Sequence, residues 1–96
     1  MTELTIETFQ PHAGSTFVLH EAALPPLELT LEAIDPLRRY IETSRPPFSL
    51  IFRCPDMQVL PQETYCLEHP ALGEVSIFLV PVGRDASGVQ YQAVFN

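Results

Sequence analysis

The sequence predicts a mainly β domain: a six-stranded antiparallel small barrel or roll with a short N-terminal helix. Three observations lead there. Six stretches alternate apolar and polar side chains at a period of two, the spacing of a half-buried strand. Turn-forming residues cluster between them, so that sequential strands are joined by short connections and read as antiparallel neighbours. Ten prolines among 96 residues disfavour long helices, because each removes a backbone donor and crowds the preceding turn. Six short strands in a single domain covering residues 1–96 close most simply as a small barrel or a two-sheet roll.

Taken in order, "ELTIETF" places Ile6 and Phe9 at helical spacing, and Pro11 ends the short helix they suggest. The first strand is "TFVLH", Thr16 to His20. "AALPPL" breaks it from "LELTLEA", where Leu27, Leu29 and Leu31 share one face and Glu28, Thr30 and Glu32 the other. "DPLRRYIE" then reads as a turn or two of helix or an ordered loop, with Asp35 as N-cap and Pro36 at the first helical position. The third strand, "FSLIFRC", sets Phe48, Leu50 and Phe52 inward. "CPDMQVLPQE" leads to "TYCLEH", in which Tyr65, Leu67 and His69 oppose Thr64, Cys66 and Glu68. "HPALG" is a turn, since Pro70 cannot donate to a ladder and Gly73 can supply an unusual φ. The fifth strand, "EVSIFLVPV", sends Val75, Ile77 and Leu79 inward. "GRDASG" turns into "VQYQAVF", whose Val89, Tyr91, Ala93 and Phe95 share a face.

Composition narrows the partners. The net charge is −7, from twelve acids and five arginines with no lysine. A nucleic-acid binder needs a basic footprint to displace counterions from phosphates, so nucleic acid and anionic membrane surfaces are poor partners. The N-terminus is acidic and lacks the basic and apolar regions of a signal peptide, and the longest apolar run, Ile77 to Val82, is too short for a spanning helix. The expected location is the cytoplasm.

No motif carries catalysis. His12, His20 and His69 form no HxxxH or HExxH pattern, and neither cysteine lies at CxxC spacing, so neither a metal site nor a cofactor site is expected. Cys66 and His69 are three apart and face opposite sides of a strand, which is wrong for a thiolate–imidazole pair. Cys54 shares parity with the inward Phe52, whereas Cys66 lies outward, so both thiols are expected free. "GRDASG" has the glycine spacing of a phosphate loop without the Lys-Ser/Thr pair that should follow. His69 reads as a structural residue of the "HPALG" bend.

Two features point outward. Arg38, Arg39 and Arg45 put three of the five positive charges into eight residues, a solvated loop or a contact for an acidic partner or anionic ligand. On the fifth strand the alternation fails: Phe78 and Val80 are apolar on the reverse face, where Ile51 and Val94 share their parity. Such a patch needs a cover. The first candidate is the N-terminal helix, through Leu4, Ile6 and Phe9; the other is a second copy, giving a homodimer, or a protein partner.

The stretches "FQPHAGSTF", "PPFSLIFR", "LPQETYCLEHPALGEVSIFLVPVG" and "YQAVFN" resemble a family of small bacterial proteins known as a domain of unknown function. The Leu-Glu-His-Pro-x-Leu-Gly segment is the most specific of them. The resemblance implies a compact, mainly β domain with no assigned activity or catalytic residues, and an accessory role beside phage-tail-like assemblies. Residue chemistry and resemblance together favour a non-enzymatic interaction or structural accessory protein. The alternative is a small ligand-binding or catalytic barrel using His69 or His20 with nearby carboxylates.

Overall fold

The computed structural model describes residues 4–37 and 46–95. Six strands close into one antiparallel barrel: β1 (Thr16–His20), β2 (Leu27–Pro36), β3 (Phe48–Cys54), β4 (Glu63–His69), β5 (Gly73–Asp85) and β6 (Gly88–Phe95), in the spatial order β1-β2-β3-β6-β5-β4. Closure removes every free sheet edge. The inward parity read from the sequence is the barrel core: Leu29, Leu31, Leu50, Phe52, Leu67, Leu79 and Val89 are all fully buried, and β1 adds Phe17 and Leu19.

The topology departs from a simple meander at one link. β3 pairs with β6, and β4 pairs with β1, so β3 and β4 are not neighbours. Residues 55–62 leave the Cys54 end of the barrel and return Leu60 to the core at 4% exposure. Its N–H donates to the Tyr91 hydroxyl at 3.0 Å, and the Tyr65 hydroxyl donates to the Pro61 carbonyl at 2.6 Å. The connection therefore seals that end of the barrel rather than forming a hairpin.

Asp35 and Pro36 do not start a helix. They are the last residues of β2, paired with Ser49 and Phe48. The β2–β3 register shifts between Leu31 and Ala33, an irregularity that re-aims the strand and brings Ile34 opposite the inward Leu50. Pro36 is tolerated because a strand-terminal proline sacrifices no interior ladder bond.

The N-terminal helix α1 (Ile6–Phe9) is followed by a 3₁₀ turn, Gln10–His12. Pro11 does not end the helical path but sits within that turn, where the missing N–H is an orphan of the first turn in any case. Thr5 and Thr8 form a reciprocal capping box at the start of α1. The helix inserts Phe9 into the barrel end opposite Leu60. Phe9 is fully buried, with ring centroids 6.4, 6.0 and 5.7 Å from those of Phe17, Phe48 and Phe95.

Both turns flanking β5 are tight. "HPALG" pairs His69 with Gly73, whose φ of 72° favours glycine. β5 runs on to Asp85, which pairs with Gly88 across a two-residue tip. A side chain at Gly88 is excluded, since a Cβ there would lie 2.0 Å from the Cys54 carbonyl oxygen.

Candidate functional site

The candidate residues divide between the inside and the outside of the barrel. His69 ends β4 with inward parity and is 6% exposed. The Ala71 N–H donates to its Nδ1 at 3.0 Å, so Nδ1 carries the lone pair and the proton sits on Nε2. Nε2–H then donates to the Ser15 Oγ, 3.0 Å away, and the Ser15 hydroxyl donates to the His12 carbonyl. A Ser–His pair at this distance looks like a nucleophile and its base. The tautomer forbids it, because a general base must accept the serine proton at a free nitrogen, and here that nitrogen is the donor. Burial, and next the neighbouring His12, push the His69 pKa down. The sequence expectation that His69 holds the "HPALG" bend matches this geometry. Its partner Ser15 lies 54 residues away in the chain, so no local pattern could have revealed the contact.

His20 lies on the outer face. Its Nε2 meets Glu68 Oε1 at 3.0 Å across the β1–β4 seam, and the two side chains are 42% and 54% exposed. The pair does realise a histidine beside a carboxylate, but in the open, where such a contact contributes little to stability. Cys66 pairs with His20 in register and is half-buried, whereas Cys54 is buried. Both thiols are free, and burial raises the Cys54 pKa, which keeps that thiol protonated and inert. Among the described residues, no group of three His, Cys, Asp or Glu side chains could hold a metal ion. No helix among them is long and apolar enough to cross a membrane.

A polar network missed by the sequence reading spans the outer face near the Cys54 end. Arg53 Nε donates to Glu32 at 2.6 Å and its terminal nitrogen to Asp85 at 2.8 Å. Gln90 donates to the other Glu32 oxygen at 2.9 Å. Arg53 and then Gln90 lower the Glu32 pKa; the Ser87 backbone N–H and then Arg53 lower that of Asp85. The signal was the shared outward parity of Arg53 and Gln90, which pair directly.

Beyond this network the outer face of β5 and β6 turns largely apolar. Ile51 pairs with Gln92, and Gln92 with Val80. In the next row Ser49 pairs with Val94, and Thr64 with Phe78. The first row, which runs on to Ala33, contains no charged residue; the second carries one at its β2 end, Asp35, paired with Ser49. Phe78 is 52% and Val94 50% exposed. The expected cover does not reach them: Phe9 plugs the barrel end instead, and Leu4 and Ile6 pack against the core. The helix therefore fails as the lid of this face, because its apolar side chains are used at the barrel mouth. Val82, at the β5 irregularity, adds a further 51%-exposed side chain. The other proposed contacts, Arg38, Arg39 and Arg45, lie outside the described residues.

An open groove of about 660 Å³ separates Pro26, Leu27 and Glu28 from Cys54, Pro55 and Asp56. It includes neither His20 nor His69.

The family model that matches this chain covers residues 4–95 and is described as Domain of unknown function (DUF6916). No curated protein and no solved structure matches it.

Proposed function

The chain belongs to this DUF6916 family, and we propose that it is a non-enzymatic interaction or structural accessory protein that binds a protein partner through the outer face of β5 and β6. The observation that carries this reading is the apolar group of Phe78, Val80 and Val94, with Phe78 and Val94 half exposed and left uncovered by the chain's own helix, in rows whose one charged residue is Asp35 at the far β2 end. On a protein of net charge −7, an apolar face with its one charge at the margin is where association costs least in desolvation of ions. Burying Phe78 alone would contribute about 1.5–3 kcal/mol. An accessory role in a phage-tail-like assembly is one form this function would take.

The alternative of a small catalytic barrel has less to support it. His69 is committed as a donor to Ser15, and the His20–Glu68 pair is exposed on a strand surface.

The test compares tagged wild-type protein with Phe78→Glu in the native host, with Met57→Glu as an exposed apolar control outside the face. A partner retained by wild type and by Met57→Glu but lost by Phe78→Glu supports the reading. Equal retention by all three overturns it. Light scattering at micromolar concentration separates a second copy from a different protein as the occupant.

A further inference from the structure

The hydrogen-bond chain through His69 ties three segments together. The "HPALG" turn contributes Ala71 N–H, the entry to β1 contributes Ser15, and the 3₁₀ turn contributes the His12 carbonyl. The Ser15 N–H also donates to that carbonyl, at 3.0 Å. This closes the N-terminal segment onto the barrel a few residues after Phe9. The His12 ring lies 4.5 Å from the His69 ring, and the Phe17 ring 4.6 Å on. Phe17 in turn packs on Phe9 and edge-on against Phe52. The latch and the aromatic plug are thus one packed unit.

The chain works for a neutral imidazole alone. An imidazolium carries N–H on both nitrogens. Protonating Nδ1 would set two donors, its own N–H and that of Ala71, against each other. It would also bury a positive charge, which is costly without a partner. The groups facing the ring offer none. Ser15, Phe17 and Ala71 are neutral, and His12 repels once it too is charged. Glu68 and Glu74, next to the hairpin ends, pair with each other on the outer face, and Glu7 of α1 is exposed.

We infer that His69 is an acid-sensitive latch: its protonation releases the N-terminal segment from the barrel and uncovers the aromatic end formed by Phe17, Phe48 and Phe95. The direction of the pH dependence follows from the pKa of His69, held below the ordinary 6.5 by burial and by His12. The unfolded or released chain binds the proton more readily than the latched one. The latch is therefore at full strength above about pH 6.5 and weakens as the pH falls through that value towards the depressed one. Released Phe9 would leave apolar rings open to solvent, a surface that invites binding.

The experiment is amide hydrogen exchange on the full chain at pH 7.5 and at pH 5.0, with rates corrected for intrinsic exchange. Imidazole nitrogen shifts are recorded in parallel. At pH 7.5 His69 should show the Nε2–H tautomer. Between the two conditions the protection of Gly14, Ser15 and Ala71 should fall at least tenfold, while that of Tyr91 and Gln92 holds. Unchanged protection at the first three positions, or an equal fall at all five, overturns the proposal. His69→Gln, which cannot titrate, should abolish the pH dependence of the first set. If that variant does not fold, the two sets of amides in the wild type still decide.

Discussion

Phe9 and Phe78 are the same residue type in opposite situations. Phe9 is fully buried in the mouth of the barrel, among three other phenylalanines, one of which, Phe17, packs against a histidine whose two nitrogens both have partners. Phe78 stands 52% exposed on the outer face, paired with Thr64 and close to the apolar Val80 of its own strand. At the sealed end, polar groups are used up in holding segments together, so chemically rich residues become structural. On the outer face, apolar groups are left with nothing to hold. The difference teaches that the residues most suggestive of catalysis in this chain are the least free to perform it, and that function is better sought where burial is incomplete.

The comparison breaks most easily at its buried pole. Phe9→Ala should destabilise the domain by about 3–5 kcal/mol, the usual cost of removing a buried phenylalanine, read as a shift of the urea midpoint. Phe78→Ala in the same measurement should stay within about 0.5 kcal/mol. Comparable losses from both would mean that the outer face is packed in the isolated protein.

His69→Ala sharpens the account of the sealed end. It leaves the Ala71 N–H without its acceptor and the Ser15 oxygen without the N–H it accepts, so a loss of about 1–3 kcal/mol is expected at pH 7.5. The loss should shrink at pH 5, where the wild type has already surrendered part of the same contribution. Urea titrations at the two pH values measure both. A loss that grows on acidification would contradict the neutral-latch assignment.

Arg53→Ala should have the smallest effect of the three, and a smaller one still in high salt. Its partners Glu32 and Asp85 are 38% and 56% exposed, so solvent screens both contacts. Thermal melts at low and high ionic strength give the answer. A large, salt-independent loss would make the network part of the core.

Much of this was legible in the sequence because inside and outside alternate. Period two placed Leu29, Leu31, Phe52, Leu67, Ile77 and Tyr91 inward, and exposed the broken alternation at Phe78. It failed where one residue shifts the register or a segment crosses the barrel. The irregularity near Glu32 carried β2 on through Asp35 and Pro36, residues whose local chemistry resembles a helix start. The 55–62 connection looked like a loop between neighbours, yet β3 and β4 pair elsewhere. The site was less legible than the fold. Ser15 reaches His69, and Glu32 reaches Gln90, only after closure brings distant strands together. The place of Phe9 in the barrel mouth, rather than over Phe78, depends on which cavity the barrel leaves unfilled, and no local pattern encodes that.

The central claim is that the β5–β6 outer face meets a protein. Replacing Phe78 with a photoreactive phenylalanine analogue in the native host, and irradiating, tests it at the residue concerned. The account predicts a covalent adduct of one defined mass from position 78, reproduced from position 94 and missing from position 57. Adducts of equal yield from all three positions, or none above background at 78 and 94, would contradict it.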